Sequence, residues 1–353
     1  MAYEEEQKVA IAAVLKACDV AQATFQKLVN DETVTKKDKS PVTVADYAAQ
    51  ALVSTLIGKS FPDYPLIGEE DATDLKTEEQ ASVREKIVEL ANKALSENSG
   101  TSQDQAVWNI VGKEPLPTET WLDAIDRGNA KYSNKGRVWA LDPIDGTKGF
   151  LRGGQYAVCL ALLEDGEPVL GVMGTPNLPL DYNNPSSGKG VLFVTTKGSG
   201  AFQRSFTSSE LQPIEMAKIS SLSEASFCES VEAGHSSKPL NARIAQLMGI
   251  TKPPVQMDSQ AKYCSIARGD GNVYLRLPTS ATYEEKIWDH ASGALLVAEA
   301  GGRVTDMHGK PLDFSRGRTL SGNKGVIASP AHLHDQVIKA VQQALSESEA
   351  GKL

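Results

Sequence analysis

Apolar residues recur at helical spacing over residues 5–29, where Ile11, Leu15, Cys18, Phe25 and Val29 share a face, and this predicts a long helix. The polar, lysine-rich run 31–40 reads as a mobile loop. A second helix is expected over 41–58, with Thr43 placed to cap it, Asp46 three positions on, and Phe61-Pro62 to stop it. Pro65-Leu66-Ile67 reads as a short strand running into Gly68-Glu69-Glu70. Residues 78–94 carry a helical pattern, 96–117 read as a polar loop, and 121–128 as a further helical turn. Val138-Trp139-Ala140-Leu141 then forms a buried strand that ends at Asp142.

From residue 155 the pattern changes. Residues 156–163 read as a strand, Glu164-Asp165-Gly166-Glu167 as a tight turn, and 169–173 as the return strand, because Asp-Gly between apolar runs is a hairpin signal. Residues 190–195 and 200–202 suggest another hairpin. The expectation is an antiparallel sheet flanked by the early helices. After about residue 215, strands at 226–229, 255–257, 273–277, 304 and 325–328 alternate with helices at 239–248, 259–268 and 287–300, and a final helix closes the chain. That alternation predicts an α/β second half. With 353 residues the chain is long for one core. Two domains are expected: 1–215, with the antiparallel sheet and most candidate ligands, and 216–353.

Composition adds exclusions. The net charge of -9 argues against a nucleic-acid binder, which needs a basic stripe to neutralise phosphates. No run of 18 uninterrupted apolar residues suggests a membrane span, and the acidic start Glu4-Glu5-Glu6 does not resemble a secretory signal. Cys18, Cys159, Cys228 and Cys264 lie far apart among apolar neighbours, which reads as buried free thiols in a reducing compartment, by default the cytoplasm.

The candidate chemistry is acidic. Glu69-Glu70 follows a short strand, Asp142 and Asp145 follow a buried one, and Asp289 opens a helix; Asp46 can join them from its own helix. Carboxylates gathered at element ends repel one another unless a cation sits between them. Oxygen ligands without nearby His or Cys suit Mg²⁺ rather than zinc. Two ions about 4 Å apart would let Asp142 bridge, with Glu69 on one ion and Asp145 and Asp289 on the other. Gly146-Thr147 at the following loop-to-helix junction leaves backbone N–H groups free for phosphate oxygens. On spacing alone each residue has a plainer reading. Asp46 is a capping-box acid, Asp289 a helix cap, Glu69-Glu70 a solvated loop, and Asp142 and Asp145 the flanks of a turn.

The longer motifs decide between these readings. Asp142-Pro143-Ile144-Asp145-Gly146-Thr147, then Trp288-Asp289-His290-Ala291-Ser292-Gly293 running on to Glu299-Ala300-Gly301-Gly302, with Gly68-Glu69-Glu70 ahead of both, resemble the signatures of the lithium-sensitive, Mg²⁺-dependent phosphatase superfamily that includes inositol monophosphatase and fructose-1,6-bisphosphatase. Five further segments resemble the 3′(2′),5′-bisphosphate nucleotidases, especially the fungal type. They are residues 40–47, Gly149-Phe150-Leu151-Arg152-Gly153, Gly234-His235-Ser236-Ser237, Asp258-Ser259-Gln260-Ala261-Lys262-Tyr263 and Val273-Tyr274-Leu275-Arg276.

The resemblance implies a layered αβαβα sandwich. It implies hydrolysis of the 3′-phosphate of adenosine 3′,5′-bisphosphate to AMP, and also of 3′-phosphoadenylyl sulfate. Two or three Mg²⁺ ions, inhibition by Li⁺ and Na⁺, and links to salt tolerance and sulfate assimilation follow from it, as does a monomer acting on a small nucleotide. Carried over by position, Glu69, Asp142, the Ile144 carbonyl, Asp145 and Asp289 would hold metal, and Asp46 and Thr147 would activate water. Gly146, Thr147, His235, Ser259, Lys262, Arg276 and Asp289 would contact substrate. Residues 75–135 and 180–215 carry little of the resemblance. An inositol phosphate 1-phosphatase keeps the chemistry and changes the substrate. A non-catalytic nucleotide or cation sensor would be expected to have lost an acid or Thr147, and all are present.

Overall fold

The computed structural model describes residues 3–30, 40–132, 134–231, 238–278, 280 and 282–350. The run 31–39 and the candidate His235 lie outside the described residues. Helices α1 (Glu4–Asn30) and α2 (Ser40–Ser60) open the chain and pack against each other. The stretch Glu4–Gln26 is long and apolar enough to cross a membrane by composition, but 67% of its apolar window is buried, and it lies against α2 and the first sheet.

That sheet is seven-stranded and runs in chain order: β1 (Leu66–Gly68), β2 (Arg137–Asp145), β3 (Ala157–Glu164), β4 (Glu167–Asp181), β5 (Asn184–Thr196), β6 (Gly200–Ser205) and β7 (Gln212–Ile214). Side chains alternate between its faces, as strand geometry requires. Trp139, Leu141, Val158, Leu160, Val172 and Val194 join α1 and α2 in one core. Ala157, Cys159, Met173, Val191 and Phe193 join a second core with α8 (Ala261–Ala267) and α9 (Ala291–Glu299). Both faces are covered, which is why these strands read as continuous apolar runs.

The second sheet is five-stranded, in the order β11 (Gly302–Thr305), β12 (Val326–Pro330), β10 (Val273–Arg276), β8 (Phe227–Glu229), β9 (Val255–Gln256). Cys228, Tyr274, Val326 and Ala328 face α8 and α9. Phe227, Val273, Leu275 and Ile327 face the outer helices α7 (Lys238–Met248) and α10 (His334–Ala350). The order of layers is therefore helix, sheet, helix, sheet, helix, as expected.

Several local expectations differ. Helix α2 begins at Ser40, so Thr43 lies inside it and is not its N-cap, and Asp46 is not a capping-box acid. The region 96–117 is not all loop. It contains α4 (Ser102–Val107), which follows α3 (Ala81–Ser96) and precedes α5 (Thr118–Asp126). Thr101 and Asp104 form a capping box there, both Asp104 oxygens also accept from Nη2 of buried Arg204, and the Trp108 indole donates to the Ala12 carbonyl at 3.2 Å. Distant partners supply the order that the polar sequence hides. Asp289 does not open a helix but ends a short 3₁₀ turn, and His290, with φ -135°, separates that turn from α9. The cysteines are free and buried, as expected.

Candidate active site

Parallel pairing of β1 with β2 matches Gly68 to Leu141, so Glu69, just past the end of β1, comes beside Asp142, which is still within β2. On its other side β2 pairs with β3, Asp142 opposite Cys159 and Asp145 opposite Ala157, with a register shift between. Three steps on one strand against two on the other is a bulge, favoured here because Pro143 has no N–H to give the ladder. The extra residue returns Asp145 to the same face as Asp142, whereas a regular strand would send them to opposite faces. The chain then turns at Gly146, with φ 93° and ψ 40°, into the short helix α6 (Thr147–Arg152).

The second half closes on this turn. Ser259 is left-handed at φ 65°, a strained conformation for a residue with a side chain. A Cβ at Gly146 would lie 2.7 Å from Ser259 Cβ, and one at Gly149 2.4 Å from the Gln155 carbonyl and 2.8 Å from Asp258 Cβ. These glycines allow residues 258–260 to approach. Arg152 pairs with buried Asp258, and the Gln260 N–H donates to Asp145 Oδ2 at 2.5 Å. Ser230 also lines the site, and its hydroxyl reaches Asp258 at 3.4 Å.

Between the halves is a cavity of about 260 Å³. Glu69, Asp142, Ile144, Asp145, Gly146, Thr147, Ser259, Lys262, Arg276 and Asp289 line it, so the structure brings together every described residue expected from sequence except Asp46. Asp46 is buried on α2, which packs against α6; Ala45, Ile144, Phe150 and Tyr156 share a small core there.

The acids are crowded. Burial pushes the Asp142 carboxyl well up, and Glu69, Asp145, Asp289 and Asp46 add to it. Asp46 is raised by burial, then by Glu70, Glu69 and Asp145. Asp289 is raised by burial and Asp145, with Arg276 opposing. Glu69 faces the cavity's solvent with protein around the rest of it; burial and its acidic neighbours lift it to about 7. Asp142 Oδ1 is buried and has no hydrogen-bond partner. A buried carboxylate oxygen without a donor, inside a repelling set of hard oxygen ligands, is the arrangement a divalent cation such as Mg²⁺ relieves, so these residues fit one.

Two cations share the lining with the acids and form its cationic wall. Lys262 is 4% exposed, and burial pulls its ammonium downward. Its Nζ donates to the Ser259 carbonyl at 2.8 Å and lies 5.3 Å from the Tyr274 ring centroid. Arg276 Nε pairs with Glu285 at 2.7 Å, while its Nη2 lies 3.8 Å from Asp289 and 3.3 Å from the Tyr283 hydroxyl. Glu285 also meets His290 Nε2 at 3.1 Å, and His290 Nδ1 meets the Tyr263 hydroxyl at 2.8 Å. Glu285, Asp289 and His290 are close enough to share an ion, but Arg276 already balances Glu285 there.

Sequence reasoning did not single out Asp258, Gln260, Tyr274, Ser230 or Glu285. Asp258, Gln260 and Tyr274 sit inside segments the resemblance had marked, and that was their one signal.

The profile of the inositol monophosphatase family matches residues 2–346. The chain is 48% identical to the 3′(2′),5′-bisphosphate nucleotidase of Emericella nidulans, over 98% of this chain and 99% of that protein. It is 45% identical to the enzyme of the same name from Schizosaccharomyces pombe, over 98% of each. Among solved structures, an inositol monophosphatase from Zymomonas mobilis superposes with a TM-score of 0.61 at 20% identity, over 97% of this chain and 99% of that one. CysQ from Bacteroides thetaiotaomicron gives 0.58 at 19%, over 93% and 98%.

Proposed function

The chain belongs to the inositol monophosphatase family, whose members are metal-dependent, and from that premise we propose the reaction and the residues that perform it. The protein is a phosphatase that hydrolyses bisphosphate nucleotides. Its substrate is adenosine 3′,5′-bisphosphate, cleaved at the 3′-phosphate to AMP and inorganic phosphate, with 3′-phosphoadenylyl sulfate as a second substrate. The observation that carries this reading is the mixed charge of the cavity lining: Glu69, Asp142, Asp145 and Asp289, with buried Lys262 and half-buried Arg276 beside them. A monophosphate needs only the acids and their metal. A substrate with two phosphates has a use for the cations as well.

In this reading Glu69, Asp142, the Ile144 carbonyl, Asp145 and Asp289 hold two or three Mg²⁺ ions. Bound there, the metal supplies charge neutralisation for the phosphate and acidifies a water. The chain's own residues supply the rest. Thr147, the first residue of α6, directs its hydroxyl to the attacking water, and Asp46 receives the proton. A Thr hydroxyl is a poor base by itself, and a carboxylate that accepts its proton makes it an effective one. The water oxygen bonds to phosphorus as the bond to the 3′-oxygen breaks, and a proton reaches that oxygen. Gly146 lets the phosphate approach the backbone, Ser259, Lys262 and His235 contact the nucleotide, and Arg276 takes the 5′-phosphate. The resemblance also supports inhibition by Li⁺ and Na⁺ and a monomeric protein. The four buried free thiols support a reducing compartment, the cytoplasm. The halves 1–215 and 216–353 act as two domains with the site between them.

The test is phosphate release from adenosine 3′,5′-bisphosphate with Mg²⁺, with and without millimolar Li⁺. Turnover suppressed by Li⁺ is expected. No release from this substrate, beside good turnover of inositol 1-phosphate or inositol 1,4-bisphosphate, would replace this reading with the inositol phosphatase. No turnover of either would leave a nucleotide or cation sensor.

A further inference from the structure

Arg318 is half-buried and touches both sides of the acidic wall. Its Nη1 donates to the Gly128 carbonyl at 3.0 Å and its Nη2 to the Gly68 carbonyl, the residue before Glu69. The guanidinium carbon lies 4.8 Å from the ring centroid of Trp288, the residue before Asp289. The main chain is tied to the same segment: the Ile287 N–H donates to the Arg318 carbonyl at 3.1 Å, and the Leu320 N–H to the Glu285 carbonyl at 2.8 Å. One residue thus holds the Asp289 segment through its backbone and ring contact, and the Glu69 segment through its side chain.

The Glu69 loop is gripped from its other side as well. Gln50, fully buried and one helical turn beyond Asp46, donates to the Glu70 carbonyl at 2.6 Å and to the Ile125 carbonyl at 2.9 Å, and accepts from the Glu70 N–H at 3.0 Å. A Cβ on Gly68 or Gly128 would come within 2.4 or 2.5 Å of the Gln50 amide, so these glycines admit the clamp. The backbone on both sides of Glu69 is fixed while its carboxylate is left to the cavity. A planar fork of N–H donors suits two neighbouring carbonyls in a way that a single ammonium does not.

We propose that Arg318 is a positioning residue for metal loading, which sets Glu69 and Asp289 at a fixed separation by joining the segments that carry them. It acts through Gly68 and Trp288 and touches no substrate. The proposal rests on the reading that Glu69 and Asp289 are metal ligands, and the experiment separates the two. Mn²⁺ binding is measured by electron paramagnetic resonance, and Mg²⁺ binding by calorimetry, on the full chain and on Arg318→Met, Arg318→Lys and Glu69→Gln. Each protein's melting temperature is recorded in chelator.

Arg318→Met is expected to bind metal about 10-fold more weakly, the loss typical of outer residues that orient metal ligands. Arg318→Lys should fall between, and raised Mg²⁺ should restore kcat in both. If Arg318→Met binds metal as tightly as the unaltered protein while Glu69→Gln binds it more weakly, the positioning role is overturned and the ligand reading stands. If Glu69→Gln also binds normally, the ligand reading fails and takes the proposal with it. Should Arg318→Met not fold, Arg318→Lys makes the same comparison, and unchanged metal affinity in it overturns the proposal.

Discussion

Gln260 donates its backbone N–H to Asp145 Oδ2 at 2.5 Å, joining residues 115 positions apart. Asp145 comes from the end of a strand in the first sheet. Gln260 comes from the left-handed turn that precedes α8 in the other half. The bond orients one carboxylate of the acidic wall, and it forms only because Gly146 and Gly149 let the two segments meet.

Gly146→Ala tests that approach. The new methyl would sit 2.7 Å from Ser259 Cβ at a φ of 93°, so neither segment can keep its place. The substitution is expected to cost about 1–3 kcal/mol of stability through backbone strain. Misplacement of the site by about 1 Å would lower turnover by about 100-fold. Thermal melting and phosphate release together check it, and unaltered turnover would count against a tight turn at Gly146.

Asp142→Asn tests the acidic wall. The variant is expected to lose turnover of adenosine 3′,5′-bisphosphate while its melting temperature in chelator holds or rises. The change removes a carboxyl whose charged form burial, Glu69, Asp145, Asp289 and Asp46 all disfavour. A sharp fall in melting temperature in chelator would show Asp142 to be a structural residue instead.

The pH dependence of stability follows from the same repulsion. Burial and acidic neighbours raise Glu69 from its ordinary 4.5 to about 7, and push Asp46, Asp142 and Asp289 upward. A carboxyl raised on folding keeps its proton in the folded protein while the unfolded chain has lost it. The folded state therefore binds more protons across that window, and stability falls as pH rises through it. Metal-free protein should melt at progressively lower temperature between pH 4.5 and about 7, the interval set by Glu69. With saturating Mg²⁺ the slope should flatten or reverse, because the ion favours the charged carboxylates. Melting curves across pH in chelator and in Mg²⁺ check the sign.

Lys262→Met and Arg276→Gln test the cationic wall. Each is expected to lower kcat/KM for adenosine 3′,5′-bisphosphate by about 10-fold or more, as removal of a charge-assisted phosphate contact does. Both should affect inositol 1-phosphate much less. Equal losses on both substrates would make these residues supports of the site, a role that the Lys262 bond to the Ser259 carbonyl and the Arg276 pair with Glu285 could carry.

Much of this protein is local in origin, and there the sequence was sufficient. The two period-2 faces of β3 and the helical face of α1 follow from where apolar side chains fall. Asp165 and Gly166, with φ of 51° and 81°, make the hairpin turn that Asp-Gly announces. The acids of residues 142–145 and their glycine were legible as a motif. What the sequence left open depends on partners far along the chain. Helix α4 has a local capping box but is tied down by Arg204 and by the Ala12 carbonyl, Thr43 lies inside a helix where spacing placed a cap, and Asp145 faces the cavity because a bulge against β3 turns it there. Arg318, 250 residues from Gly68, has no periodicity or motif to mark it. A side chain's own neighbours set its helix or strand, whereas the group it points at is chosen by packing of the whole chain, and tertiary structure alone decided that.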